Sequence, residues 1–302
     1  MTPLLKLLQF RAAYNLPVHA AVEHGIFARH DLEVVPSYTP GSLYSSKALK
    51  TGDYDIAHTG ADDIIADVET DPTSDLFIFA GLHNGLFALA GTPGCSSVEE
   101  LRSKKIGVDA KTSGFVLVLE RMLRSRGFSP ADYELIAIGG WESRYRALIG
   151  GTISATLLTE PFLQQALDAG CNLLARDYQM IADYQGTCAA ASRRWADAHS
   201  ELLVRYIRAY VEATQWCFNR ENRASCLGIL ARHTGIGGNA GEHTLDTLLD
   251  PQHGLQPRAA VNLPGVITAI ELRAELGYLA PPLPRAEKYV DLSYYGRAIA
   301  QG

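Results

Sequence analysis

The chain has 302 residues, 47% apolar and 20% charged, which is enough for about two domains with substantial cores. Its formal charge is −6, from 27 Lys and Arg against 33 Asp and Glu. With no block of basic residues and no apolar run of transmembrane length, it shows neither the footprint of a nucleic-acid binder nor a helical membrane span. The apolar pattern predicts a strand over 4–10 and a turn at 14–17, with Asn15 placed to cap a helix and Pro17 in its first turn. Val18, Ala21, Val22 and Ile26 give that helix one apolar face, and Gly25 closes it. A strand at 32–35, a helix at 42–50 ending at Gly52, a strand at 54–57, a helix at 62–68 and a strand at 76–80 follow. This βαβαβ order predicts a mainly parallel sheet flanked by helices.

The same order then restarts. Strands are predicted at 105–108, 134–138, 155–158 and near Leu173, with helices at 113–126, 143–149 and 161–169. Gly52-Asp53-Tyr54-Asp55-Ile56-Ala57 can be laid without gaps on Gly151-Thr152-Ile153-Ser154-Ala155-Thr156, a repeat of architecture with little identity. The expected fold is α/β and two-lobed, with a ligand cleft between the lobes. The first lobe takes residues 1–92 plus 188–302 and the second 93–187, with crossings near 91–97 and 182–188. From about Arg193 the chain reads as helical. Leu202, Leu203, Tyr206, Ile207, Tyr210 and Val211 mark one helix, and others are predicted over 224–233 and 261–277. These helices are expected to pack back on the first lobe, with a turn at 235–241.

Cys95, Cys171, Cys188, Cys217 and Cys226 are odd in number and form no CxxC pair, so they read as small buried apolar side chains. His19, His24 and His30 lack the i,i+4 spacing of a helical metal site, and neither a GxSxG elbow nor a P-loop occurs. Neither a metal nor any other cofactor is implied. The short apolar start, broken by Lys6 and Gln9, lacks a signal-peptide core. The expected location is therefore periplasmic if a leader was removed, and otherwise cytoplasmic.

Three segments in order carry a resemblance. VEHGIFARHDLEVV followed by ALKTGDYDIAHTGADDII, then SSVEELRSKKIGVDAKTSG, then RALIGGTISATLLTEPFLQQA are similar to type II periplasmic solute-binding proteins. The branch is the one that binds nitrate, sulfonates, taurine and thiamine pyrimidine precursors. The likeness covers residues 4–235 and implies two hinged lobes around a small ligand, with an ABC-transporter permease as partner. Ser103 and Ser154 stand where the family usually has Gly and Asp. Cytosolic relatives with this fold include a pyrimidine-precursor synthase, sulfinate desulfinases and aromatic decarboxylases. The cysteine cluster of the synthase is missing here. So is the desulfinase cysteine expected after the first strand, where the loop reads Arg11-Ala12-Ala13-Tyr14-Asn15.

Ligands of open α/β sheets gather at the carboxyl ends of strands, where helix N-termini aim N–H groups into the crevice. Four such ends can be read: Arg11 to Asn15, Gly41-Ser42, Thr59-Gly60-Ala61 and Lys111-Thr112-Ser113-Gly114. Each reads as a ligand cradle or as a helix cap. Tyr14 and Trp141 are placed to sandwich a planar ligand from opposite lobes, or to pack at its rim. His83 and Asn84 follow the fourth strand, where His83 is a ligand donor, a general base or a structural histidine. Glu160 is either a partner for a ligand amine or a charge favoured at a helix N-terminus. Arg144 reads as part of a solvated helix face within reach of an anion. The leading expectation is a binding protein for a small anionic or heteroaromatic ligand, closing by a hinge. In it, Trp141→Ala removes binding and leaves the fold intact. The alternative is a cytosolic lyase or hydrolase acting on a small aromatic or heterocyclic acid, with His83 and His58 as its acid/base groups.

Overall fold

The computed structural model describes residues 2–177, 181 and 183–300. The chain first lays down β1 (Leu4–Gln9), β2 (Glu33–Tyr38), β3 (Ile56–Gly60) and β4 (Leu76–His83) in one sheet. It crosses to build β5 (Ala88–Gly91), β6 (Lys104–Val108), β7 (Tyr133–Ala137), β8 (Ala155–Leu158) and β9 (Asn172–Arg176) in a second, then returns with β10 (Thr187–Ser192). The sheet orders are β2-β1-β3-β10-β4 and β7-β6-β8-β5-β9. β10 is antiparallel to β3 and β4, and β5 is antiparallel to β8 and β9. The strand brought in by each crossing thus takes the same place in the other lobe's sheet, and the remaining strands run one way. β3 and β8 occupy equivalent places, which gives the repeat seen in the sequence its structural meaning.

Both faces of the first sheet are covered, so its strands alternate between two cores rather than between core and solvent. Leu5, Leu7, Ile56, Phe77, Phe79, Ala189 and Ala191 join one core with α1 (Leu16–Glu23) and α9 (Ser200–Phe218). Leu8, Ala57, Leu76, Ile78, Cys188 and Ala190 join the other, which runs on into the second lobe. Flanking helices are α3 (Ser42–Thr51) and α4 (Ala61–Thr70) in the first lobe, and α5 (Gly114–Arg124), α6 (Trp141–Ile149) and α7 (Phe162–Asp168) in the second. α3 stops where Gly52 takes φ 74°, a left-handed conformation that spares glycine the Cβ clash. All five cysteines are buried and unbridged. Among the described residues no helix is long and apolar enough to cross a membrane.

Four local expectations need correcting. Residues 88–91, assigned to the first lobe by a boundary at 92, form β5 and pair in the second sheet. The short Ala-Leu-Ala-Gly run carries little strand propensity, so the first crossing falls before Ala88 rather than after Gly91. The return ends at Thr187; Ala182 lies outside the described residues. Asn15 does not cap α1 with its side chain, since its Nδ2 donates to the Phe10 carbonyl at 2.6 Å. The glycine-rich stretch at 235–241 is a turn only at its start, because α11 (Gly238–Leu248) begins within it. Finally, α12 (Leu263–Glu275) packs against α4 and also α5, with Arg121 paired to Glu275, so the C-terminal helices touch both lobes.

Candidate functional site

The carboxyl ends of β1, β3 and β4 face those of β6 and β7, and the two lobes meet there through hydrogen bonds. Ala13 N–H donates to the Glu160 carbonyl at 2.7 Å, and Gly140 N–H to the Pro40 carbonyl at 3.0 Å. Ser42, first residue of α3, donates its N–H (3.1 Å) and its hydroxyl (2.5 Å) to Asp109 Oδ2 from the end of β6. In return Gly114, first residue of α5, donates its N–H to Asp63 Oδ1 of α4 at 2.8 Å. Each lobe thus places a carboxylate on a helix N-terminus of the other, where the helix dipole favours negative charge. On the rim, exposed Arg11 lies over the Tyr38 ring and 3.7 Å from Glu142.

Gly114 is needed for this approach. A Cβ there would lie 2.6 Å from Asp62 Cβ across the cleft, an atom fixed by its own helix. Gly114→Ala should therefore hold the lobes apart with the separate cores intact. The expected result is a larger radius of gyration by small-angle scattering with native circular dichroism. An unchanged radius would mean that the backbone around Asp62 yields.

Behind these contacts stands an aromatic wall. Phe10 of the first lobe meets Phe115 (5.9 Å between centroids) and Trp141 (6.1 Å) of the second. Phe87, on the crossing segment, stacks on Trp141 at 5.6 Å, and Tyr14 lies against His83 at 4.7 Å. Several polar atoms within this wall are buried without a hydrogen-bond partner among the described residues. They are both His83 ring nitrogens, Ser113 Oγ, and Nε and Nη2 of Arg144, while the Tyr14 hydroxyl faces the Trp141 and Thr187 side chains as partners of poorer geometry. Buried polar groups are ordinarily paired, so such a cluster makes this wall the candidate site. Burial draws His83 down to about 3, which keeps it neutral. Burial and the neighbouring Asp109 carboxylate push Asp63 up to about 7. Burial lowers Arg144 to about 10, still a cation at neutral pH.

The residues singled out in the sequence divide accordingly. Tyr14 and Trp141 face each other, and His83 and Ser113 have side-chain atoms without a partner among the described residues. Ser42 and Gly114 are engaged by carboxylates of the opposite lobe. Thr59 is buried with its hydroxyl 3.4 Å from Asp63 Oδ2, and Gly60 is the residue before α4. Asn15 is buried, and its Oδ1 has no partner among the described residues. Thr112 is exposed and edges a groove of about 190 Å³ with Ser42, Asp63 and Arg273. Asn84 is half-buried and accepts from Asn262 at 3.3 Å. Glu160 accepts from the Gln164 N–H at 3.0 Å, so its carboxylate serves the start of its own helix. His58 bonds the Tyr206 hydroxyl at 2.7 Å and packs edge-on to Tyr210, which places it on the α9 side of the sheet. Trp141 is 1% exposed, so Trp141→Ala would open a core cavity at a cost of about 3–5 kcal/mol and is not the clean binding probe expected from the sequence.

Sequence reasoning missed Asp63, Asp109, Phe87, Phe115 and Thr187, and misread Arg144. Asp109 was within reach, because it follows β6 directly. Thr187 was not, because only the return crossing brings it to the wall. Arg144, which the sequence places on a solvated helix face, is 1% exposed and lies over the Trp141 ring at 4.1 Å.

A family model described as NMT1-like matches residues 5–231. No curated protein matches the chain. Among solved structures, the nitrate-binding protein NrtA from Synechocystis PCC 6803 superposes with a TM-score of 0.83 at 15% identity, covering 99% of this chain and 88% of that one. The alkanesulfonate-binding protein SsuA from Xanthomonas axonopodis pv. citri, bound to MOPS, gives 0.79 at 19% identity over 96% and 99%. A ligand-binding component of an ABC-type import system from Staphylococcus aureus, with zinc bound, gives 0.79 at 14% over 98% of each chain. At these identities the likeness establishes the two-lobed periplasmic-binding-protein fold.

Proposed function

Because the chain belongs to the NMT1-like family, we propose that it is a small-molecule-binding protein whose two lobes close on one ligand, as the substrate-binding component of an ABC importer does. The observation that carries this reading is the cluster of unpaired buried polar atoms at the facing strand ends, walled by aromatic rings from both lobes. A ligand that pairs those atoms binds the closed arrangement better than an open one, and that difference in affinity drives closure. The nitrate and sulfonate named for two structural neighbours support an anionic ligand. The permease of an importer is the matching partner, and the periplasm the matching compartment.

The test is a thermal-shift panel of nitrate, taurine, alkyl sulfonates, aminopyrimidines and aromatic carboxylates, with each hit re-extracted and weighed by mass spectrometry. A compound at 100 times its dissociation constant should stabilise by about 2.7 kcal/mol and be recovered unchanged. Recovery of an altered compound would replace binding with catalysis. Of the two candidate bases, His83 then comes first, since it borders the aromatic wall and His58 does not.

A further inference from the structure

Away from the cleft, two of the five cysteines meet at one corner of the first lobe. Cys217 is the last residue but one of α9, and Cys226 is the fourth residue of α10 (Arg223–Thr234), nine positions on. Side chains of the corner between them hold it folded back. Asn219 Oδ1 accepts from the Glu221 N–H at 3.0 Å, and Asn222 Nδ2 donates to the Trp216 carbonyl at 2.9 Å. Cys226 Sγ thereby comes within 3.9 Å of the Cys217 carbonyl, and the two thiols hydrogen-bond to each other. Both are buried, under a corner whose Asn219, Arg220, Glu221 and Ala224 are exposed. The other three thiols lie in other elements: Cys95 bonds the Ser97 carbonyl at 3.5 Å, Cys171 precedes β9 and Cys188 belongs to β10. Thiols in contact have a chemistry that separated ones lack, because a mixed disulfide formed on one is resolved by the other. The two also differ in readiness. Cys217 keeps its proton and donates it to Cys226, and the Arg223 guanidinium lies nearby, so Cys226 is drawn below the usual thiol range while Cys217 is pushed above it.

We propose that Cys217 and Cys226 are a disulfide-forming pair, which an oxidant disulfide such as oxidised glutathione closes into a staple between α9 and α10. The Cys226 thiolate attacks one sulfur of the oxidant, and the other leaves as a thiolate that takes up a proton. Cys217 then gives up its proton and attacks the Cys226 sulfur of the mixed disulfide, which releases the second thiol. The two cysteines are oxidised by two electrons, and the oxidant disulfide is reduced to two thiols. An oxidising compartment supplies that oxidant, and a reducing one leaves both thiols as they stand. The staple bears on α1, which α9 and α10 flank. Ser225 meets His24 at 3.0 Å and His233 meets Glu23 at 2.8 Å, and α1 itself continues from the Tyr14 turn. The pair closes whatever ligand the cleft takes, so it stands apart from the binding reading.

The experiment refolds the reduced, urea-unfolded chain in mixtures of reduced and oxidised glutathione, blocks free thiols with N-ethylmaleimide and digests with trypsin without reduction. The expected product in oxidising mixtures is the peptide 209–220 joined to 224–232 and lighter by two hydrogens than the sum of its parts, with Cys95, Cys171 and Cys188 alkylated. The bridged chain should melt about 5 °C above the reduced one, since the bridge closes a short loop in the unfolded state. Cys226→Ala should melt at one temperature with or without oxidant. If the unfolded chain does not regain native circular dichroism, oxidation of the never-unfolded chain with diamide takes its place and is read through the same two peptides. Alkylation of both cysteines in every mixture, a glutathione adduct left on either, a bridge from either to Cys95, Cys171 or Cys188, or a bridged chain that melts no higher than the reduced one would overturn the proposal.

Discussion

Arg273→Leu should destabilise the protein by about 3–5 kcal/mol, enough to lower the melting temperature by roughly 10 °C in a chain of this size. Arg273 of α12 donates from Nη1 to Asp62 Oδ2 of α4 at 2.8 Å, and the two side chains are 3% and 0% exposed. Surface ion pairs contribute little, but this pair has no water to fall back on. Burial pushes Asp62 up to about 6 even with the guanidinium pulling it down, so desolvation outweighs attraction at that carboxyl. Removing the arginine leaves a buried charge with no partner at neutral pH, or a proton that must be taken up against the ambient pH. Asp62 Oδ1 and Arg273 Nε already lack partners among the described residues, so the pair is a costly one that the fold tolerates as a unit. Two controls follow. Asp62→Asn combined with Arg273→Leu should recover part of the loss, because the charge leaves with its partner. The single variant should also gain stability on moderate acidification, when Asp62 is neutralised. Urea denaturation at pH 7 reads the first effect, and a loss below about 1 kcal/mol would show that water enters the site. The same pair ties the helix spanning both lobes to the helix that presents Asp63, so its loss should also weaken ligand binding.

What the sequence made legible follows from the range of the interactions involved. Each parallel strand and its helix are local patterns, and β1, β3, β8, α3 and α6 fall within a few residues of their predicted bounds. The crossing strands are not local. β5 is four residues of Ala, Leu and Gly, and β10 is Thr-Cys-Ala-Ala-Ala-Ser. Their small side chains fit between helices on both faces, so neither strand shows the alternation or the branched residues that announce one. The same holds for the site. Tyr14, Ser113 and Trp141 were found because they stand at ends of recognisable elements. The pairing of Ser42 with Asp109 and of Gly114 with Asp63 depends on how the lobes face each other, which no single-chain pattern records. Arg144 shows the limit most clearly. Arginine between Ser143 and Tyr145, two residues after a glutamate, has the composition of a solvated face, and its burial is decided by the wall it leans on.

Stability should be nearly level between pH 8 and pH 7 and fall by about 1.4 kcal/mol between pH 6 and pH 5. Burial holds His58 and His83 down to about 3, and holds His19, stacked on His233, down to about 4. In the unfolded chain these rings take up protons below about 6.5. Their lowered values mean that the unfolded state binds three more protons than the folded one in that range. The stability they support is present above the unfolded value and drains away as pH falls. Asp62 and Asp63 act in the opposite sense. Raised to about 6 and about 7, they hold protons in the folded state that the unfolded chain releases down to about 4, so acidification through those values favours folding. At pH 7 the two effects nearly balance, and by pH 6.5, where half of the unfolded rings carry a proton, the three histidines already outweigh the aspartates. Below pH 6 three histidines work against two aspartates, and the surplus of one proton sets the slope at about 1.4 kcal/mol per pH unit. Glu160, raised by burial, and Glu23, Glu69 and Glu212, lowered with help from cationic partners, pull in opposite directions closer to their ordinary range. The window between pH 6 and pH 5 is therefore the cleanest. Urea midpoints at pH 7, 6 and 5 measure the curve, and His19→Gln, which removes one of the three histidines, should level it below pH 6. A wild-type stability that climbs steadily from pH 6 to pH 5 would mean that these rings are hydrated in the folded protein, and the histidine His83 beside the aromatic wall would then be open to protonation by solvent.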